Sequence, residues 1–481
     1  MYPRLIAAAS AAALFPCLVV AAAPAVQQHV LDNGLTVLVV ESHALPLVTI
    51  EIAARNGSMT EPPEYNGLSH LYEHMFFKAN KAYPDQEAWM MRGKALGMLW
   101  NGTTSQERVN YYFTTTSDHG AEVMTFMRDA IVGPLFDPAE LERERVVVTG
   151  EMDRNEGNPY YYFGKAVDGR VWWKYPSRKD PLGNRQTVLT ATPEKMRTIK
   201  ERYYVPNNSV LVVTGDVVAA DVFRQADQLY AQWPRGKDPF VEFPLAVHPP
   251  IPTTSVVLVE QPVQAPVVSF TWHGPSTVGK DVELTYAADL LTFALQEPSS
   301  RYQQALVDSG ACAFVSPPSW FTQSNTGPIS VTAQAPAEKL DGCIKSIMAE
   351  LPKLREPGYL SDTELRDAAF SAEVGQALER EKPSELTHTL TFWWTSAGLP
   401  YYLGYVENLR KVSRPDIARY LDTYVLGKPF VFGAMVSPEM ARAQHLDQAH
   451  FDALVGGKPW SAPAPTAALV APAAVLAENA K

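Results

Sequence analysis

Basic charge is in short supply: 41 Lys and Arg stand against 52 Asp and Glu, a net charge of -11. That balance argues against nucleic acid as the main partner. Cysteine is scarcer still, with three in 481 residues, and past the N-terminus only Cys312 and Cys343 remain. They can be reduced and buried, or paired in an oxidising compartment, so cysteine usage by itself fixes no location. Beyond the first two dozen residues nothing resembles a stop-transfer segment, and no stable transmembrane span is expected once a leader is removed. What is present is ordinary for a folded chain, 46 % hydrophobic and 19 % charged residues. At this length one hydrophobic core is too few, and two to four domains are expected.

The N-terminus, "MYPRLIAAASAAALFPCLVVAAAPAVQQH", has one basic residue, Arg4, then a short apolar run and small residues. It reads as a secretory signal peptide over residues 1–25, cut near Ala23 or Ala25, which puts the protein in the periplasm or outside the cell. An uncleaved anchor is the alternative. Cys17 follows Pro16 where lipidation wants a small residue, so a lipoprotein is not expected.

A first unit spans residues 26–244. "LTVLVVE" and "PLVTIEIAA" read as strands, as does "RVNYYFTTT". "GLSHLYEHMFF" changes period, with Leu68, Leu71 and Met75 at helical spacings. From Asp137 to Glu156 a helix is predicted: Asp137 caps it, Pro138 suits its first turn, and Glu140 completes a capping box. "TPEKMRTIKERYY" reads as a helix and "NNSVLVVTGDV" as a strand. Residues 245–254 are a proline-rich linker, after which the pattern restarts: "VESHALPLVTIEIAARNGS" is echoed by "VEQPVQAPVVSFTWHGPS". The second unit spans 255–460, and 461–481 is an Ala/Pro-rich flexible tail. The expected fold class is α+β: two related domains, each a mixed, mainly antiparallel sheet with helices packed on it.

The chemistry gathers at "HLYEH". On a helix His70 and His74 share a face, with Glu73 beside them. Zinc takes neutral imidazoles and carboxylates and needs a third protein ligand. Glu144 and Glu151, two turns apart on one face of the 137–156 helix, offer it; one can bind metal while the other supports the site from behind. Glu73, unligated, is the candidate general base for peptide hydrolysis. The second unit has no copy of this cluster.

The order His-x-x-Glu-His is the inverzincin signature. Together with "NGLTVLVVE", "NGTTSQERVNYYF", "ELERERVVVTGEM" and "ERYYVPNNSVLVVTGDV", it makes the chain resemble the pitrilysin or insulinase-like metallopeptidases, in particular half-length members such as mitochondrial processing peptidase subunits and their bacterial relatives. The resemblance implies one zinc ion per chain held by His70, His74 and Glu151, Glu144 in support, and Glu73 as catalytic base. It also implies a substrate-binding role for Asn101 and for Gly102, which stands where the family usually has alanine. Substrate peptide would pair with the strand there by edge addition.

One departure concerns the arginine and tyrosine, seven residues apart, that complete the family's site. The matching stretch, "QQALVDSGACAFVS", puts Val307 and Phe314 in their places, and neither can donate a hydrogen bond. A homologous half-length partner that supplies the pair is therefore expected; Arg301 or Tyr302 as a local substitute is the alternative. The aromatics of "NPYYYF", with Trp172 and Trp173, either line a peptide chamber or serve packing. A non-catalytic peptide-binding or scaffold homologue is the competing function; the complete ligand set and the presence of Glu73 speak for hydrolysis of short or unfolded peptides.

Overall fold

The computed structural model describes residues 25–461. The expectations for the leader up to residue 24, for Cys17 and for the tail beyond 461 lie outside the described residues.

Six strands make the first sheet: β1 (Gln27–Val30), β2 (Thr36–Glu41), β3 (Leu47–Ala54), β4 (Leu99–Thr104), β5 (Val109–Thr116) and β6 (Ser209–Gly215), in the order β1-β2-β6-β3-β5-β4. The second contains β7 (Ser255–Glu260), β8 (Val267–His273), β9 (Phe314–Val315), β10 (Ser319–Trp320), β11 (Pro328–Gln334) and β12 (Val431–Val436). Its order is β10-β11-β8-β12-β7, with β9 on the edge of β11. The places of β2, β6, β3, β5 and β4 are taken in turn by β7, β12, β8, β11 and β10. The one parallel pair recurs as well, β2 with β6 and β7 with β12. The duplication legible in the sequence is thus a duplication of topology. Strand β1 was not expected: "QQHV" is mostly exposed and has no apolar alternation to announce it.

Both sheets are covered on two faces. In the first, Ile50, Ile52, Tyr111 and Phe113 pack against α1 (Leu68–Phe76) and a helix at Gly120–Val132, and α2 (Pro138–Glu156) packs on α1. Leu68, Leu71 and Met75 are buried there, as their spacing requires. The helix that follows α2, α3 (Pro159–Val171), leaves this half: Phe163, Val167 and Val171 pack on Val257, Val267, Val431 and Met435 of the second sheet. The second half has its own pair, α4 (Glu283–Gln296) and α5 (Asp362–Glu379), over the other face of its sheet. It then returns the exchange with α6 (Pro383–Ser396), whose Leu386, Leu390 and Trp394 bury against Leu38, Val40, Ala53, Val210 and Val212. Strand β6, buried on both faces, reads accordingly as an unbroken apolar run.

A polar lock accompanies α6. Glu51, fully buried on β3, accepts from Asn110 Nδ2 at 2.9 Å and Thr391 Oγ1 at 2.5 Å, and pairs with His388. Arg108 Nη1 donates to His388 O at 2.8 Å, and the Arg55 guanidinium lies 3.7 Å over the Trp394 ring. Residues 245–254 form no helix, yet Leu245, His248 and Ile251 are buried, so this linker is pinned between the halves. Cys312 and Cys343, left open by the sequence, form a disulfide.

The capping box expected at α2 is not made. Asp137 does cap, accepting from Ala139 N and Glu140 N at 2.9 and 3.0 Å. The Glu140 carboxylate turns away from the N-cap instead, buried, and accepts from Ala79 N at 3.0 Å and Gln86 N at 3.1 Å. Two loop donors without partners of their own outcompete the single N-cap donor, tying α2 to the segment that follows α1.

Candidate active site

The entry to α1 is held on three sides. Gly67 caps it at φ +93°, where a Cβ would sit 2.9 Å from Leu182 O; a Cβ on Gly183 would fall 2.2 Å from Gly67 Cα. Neither position admits a side chain. The buried Glu61 carboxylate accepts from Gly67 N at 2.7 Å and Ser69 N at 2.6 Å, satisfying two donors of the first turn. Asn66 Nδ2 donates to Ser177 O and Asp180 O at 3.2 and 3.0 Å. Burial raises the Glu61 carboxyl to about 7, against the opposing pull of these donors. Its folded pKa lies above the ordinary carboxyl value, so its contribution to stability is complete below about pH 4.5 and is lost as pH rises through 7. In thermal unfolding Glu61→Gln should flatten that part of the pH profile, on the order of 3 kcal/mol between pH 4.5 and 8. Glu61→Ala, which strands two N–H groups, should cost about 1–3 kcal/mol below pH 4.5 and less as pH rises through 7, since it removes the same titration.

Anchored this way, α1 turns His70 and His74 toward α2. One ligand atom from each of His70, His74 and Glu151 lies within 4.8 Å of the others. His70 Nε2 and His74 Nε2 stand 3.4 and 3.8 Å from Glu151 Oε2. His74 Nδ1 is 3.0 Å from Glu144 Oε2, which leaves Nε2 for the cluster. Lys78 Nζ, one helical turn beyond His74, holds the other Glu144 oxygen at 2.6 Å. Burial would push the Glu144 carboxyl up, but the bonds from His74 and Lys78 bring it below its usual range. Burial, and then the neighbouring His74, draw His70 down to about 4, so its imidazole is neutral at working pH. Two imidazoles facing a carboxylate are a donor set zinc takes, and the three residues fit it.

Glu73 stands apart from the ligand trio, between α1 and β4. Thr104 Oγ1 donates to its Oε2 at 2.6 Å. A Cβ on Gly102 would lie 2.9 Å from Glu73 Cγ, so glycine there is not equivalent to alanine: the larger residue must displace Glu73. Burial raises the Glu73 carboxyl, opposed by the Thr104 hydrogen bond. Thr104→Val should lower kcat about ten- to hundredfold with little change in KM, and Thr104→Ser should restore it.

Of the expected substrate residues, Gly102 lies against Glu73. Asn101 is exposed, and alternation along β4 turns it to the face opposite Gly102 and Thr104. Its Oδ1 accepts from Gly102 N at 3.0 Å, and its cross-strand partner is Tyr112. Strand β4 is nonetheless the sheet's outer edge, with its main chain open beside Glu73. Val307 lies in a π-helical turn at Gln304–Asp308, and Phe314 is half exposed on β9. Of the two proposed substitutes, Tyr302 is buried and donates to Ser316 O at 2.9 Å, while Arg301 is exposed with its guanidinium 4.8 Å over the Tyr359 ring. The aromatic cluster divides. Phe163 and Trp172 are packing, whereas Tyr160 and Tyr162 are 48 % and 42 % exposed.

Glu61, Lys78 and Thr104 were missed in the sequence. Lys78 and Thr104 had a usable signal, since one lies a helical turn past His74 and the other alternates with Gly102 along β4; Glu61 had none.

A family profile described as insulinase, peptidase family M16, matches residues 36–169, and one described as peptidase M16 inactive domain matches 190–371. The chain belongs to the M16 peptidase family. It is 28 % identical over 196 residues to the uncharacterised zinc protease YmxG of Bacillus subtilis, 40 % of this chain and 47 % of that one. To an uncharacterised zinc protease of Rickettsia felis it is 24 % identical over 328 residues, 68 % of this chain and 77 % of the relative. The match covers only 22 % of bovine insulin-degrading enzyme, at 26 % identity over 44 % of this chain. Among solved structures, a Helicobacter pylori protease superposes with a TM-score of 0.75 at 20 % identity, covering 86 % of this chain and all of that one. The first half of the periplasmic protease PqqL of Escherichia coli gives 0.71 at 19 %, covering 91 % and 98 %. At these identities the structures establish the fold alone.

Proposed function

We propose that the chain is a zinc-dependent endopeptidase for short or unfolded peptides, the catalytic subunit of a heterodimer, working in the periplasm or outside the cell. The observation that carries this is the convergence of His70, His74 and Glu151 with Glu73 left outside the trio. A metal-binding or scaffold protein has no use for the fourth residue.

When bound, zinc supplies the Lewis acidity that makes a water nucleophilic near neutral pH and polarises the scissile carbonyl. Glu73 is placed to take the proton of the attacking water on its carboxylate and to pass it to the leaving amine. Thr104 fixes which way that carboxylate faces. Glu144, itself held by Lys78, keeps the His74 ring in one orientation and tautomer. The open edge of β4 offers main-chain hydrogen bonds to an extended peptide, so that affinity need not depend on sequence.

The heterodimer rests on what the second half lacks. Val307 and Phe314 have no donors, and Tyr302 is buried and engaged with Ser316 O. The location rests on the leader and on the Cys312–Cys343 bond, which suits an oxidising compartment. Among the described residues no helix is long and apolar enough to cross a membrane.

Metal removal tests the proposal. The purified chain, with a homologous partner present, should hold about one zinc, cleave an unstructured peptide mixture, lose cleavage on dialysis against a chelator and regain it with zinc. Cleavage that persists in zinc-free protein, or zinc-loaded complex that cleaves nothing, would sink it.

A further inference from the structure

Strand β4 is the outer strand of its sheet, hydrogen-bonded on one side only, to β5. Such an edge has little to hold it, yet peptide pairing and the Thr104 contact with Glu73 both depend on where it lies. The turn that ends it, residues 105–108, reaches across to the second half. We propose that Glu107, acting with Lys179, is a positioning residue that fixes the β4 edge for the incoming peptide, an inference that rests on the peptidase function above.

Glu107 is buried in that turn, and its carboxylate accepts from the other half of the chain: Ser324 N at 2.7 Å, Ser324 Oγ at 2.9 Å and Asn325 N at 2.9 Å. Lys179, also buried, grips the same loop by its oxygens. Its Nζ donates to Asn325 O at 2.6 Å, to Thr326 O at 2.7 Å and to the Gln323 side chain. One charge takes the loop's N–H groups, and the opposite charge takes its carbonyls. Arg108, the next residue of the turn, donates to His388 O and Thr391 Oγ1 on α6, so two consecutive residues are tied to the second half.

The loop that receives them is itself firmly set. Residues 321–327 join β10 to β11, which makes this loop the counterpart, in the second half, of the β4–β5 turn. Thr277 N donates to Gln323 O at 3.0 Å, Thr326 N to Ser276 Oγ at 3.1 Å and Gly327 N to Pro275 O at 3.1 Å. Thr326 is held at φ +55°, a left-handed conformation that a β-branched residue adopts only where its surroundings impose it.

The use of charge here needs a reason. Burial raises the Glu107 carboxyl against the pull of Lys179 and of the loop donors, and draws Lys179 down to about 8 against the pull of Glu107. Apolar packing would join the two halves with less desolvation. Buried charges add direction, because a small shift of the turn leaves them without partners.

Deuterium uptake and peptide affinity test this in the zinc-loaded full chain carrying Glu73→Gln, with a homologous partner bound. Glu107→Gln and Lys179→Met should each speed exchange over Leu99–Thr104 about tenfold, leave β2 and β6 unchanged and keep zinc. Each should also weaken binding of a fluorescein-labelled unstructured peptide about fivefold. Ser324→Ala, which removes one donor to Glu107 and leaves the fold least disturbed, should give the same pattern at smaller size. Leu421→Ala, a cavity in the second core, should lower the melting temperature without either effect. Peptide affinity unchanged in the seam variants, or β4 exchange that quickens as much in Leu421→Ala, would overturn the proposal. Failure of the peptidase function leaves a different trace: wild-type, partner-bound protein that binds peptide and cleaves nothing, with the effects of the seam variants still present.

Discussion

Glu73→Gln should keep one zinc per chain and lose about 10²–10⁴-fold in peptide turnover. The two halves of that expectation have separate causes. Zinc retention follows from the ligand geometry: the converging atoms belong to His70, His74 and Glu151, and Glu73 is not among them. Loss of turnover follows because an amide of the same shape can still accept from Thr104 but has no basic oxygen to take a proton. Metal analysis beside peptide cleavage separates the two. Glu151→Gln is the contrasting variant and should lose metal and activity together. Zinc lost from Glu73→Gln would show that this residue is a ligand after all; turnover kept would remove it from the chemistry.

The isolated chain should be a weak peptidase, and a homologous subunit carrying the Arg/Tyr pair should raise kcat/KM by at least about 10²–10³-fold, the usual effect of a single donor at a developing oxyanion. The basis is the absence of donors at two positions together with the commitment of Tyr302. Tyr302 cannot turn to a substrate without leaving Ser316 O unsatisfied inside the second core. Cleavage rates of the single chain, the single partner and their mixture decide the matter. Full activity in the single chain would overturn the split site.

Strands β2, β3, β5 and β6 were legible because alternation or an unbroken apolar run marks them, and so was the repeat; β12, buried throughout at the centre of the second sheet, was not read. What could not be read was partnership over long distances. Nothing in the apolar stripe of α3 or of α6 says which sheet it covers, since Val and Leu bury equally well against either. The site was legible in its local part, His70, Glu73 and His74 at helical spacing, and Glu144 and Glu151 became so because they also share one helix face. Glu61 acts across a turn through hydrogen bonds that carry no periodicity, whereas Thr104 shares a face of β4 with Gly102, a signal that strand alternation does carry. Glu140 matched a capping box by spacing alone and found better donors in three dimensions. Strand alternation sets Asn101 on the face of β4 opposite Gly102 and Thr104, a placement that spacing alone gives.

The exchanged helices also order events during synthesis. Strand β6 ends at Gly215, yet α6, which covers the outer face of the first sheet, begins only at Pro383. Until that later segment emerges, Val40, Val210 and Val212 have no cover, so the N-terminal half cannot mature as a unit while the chain is being made. Cutting the gene at the linker would produce two fragments, each with a bare sheet, soluble only when both are made together.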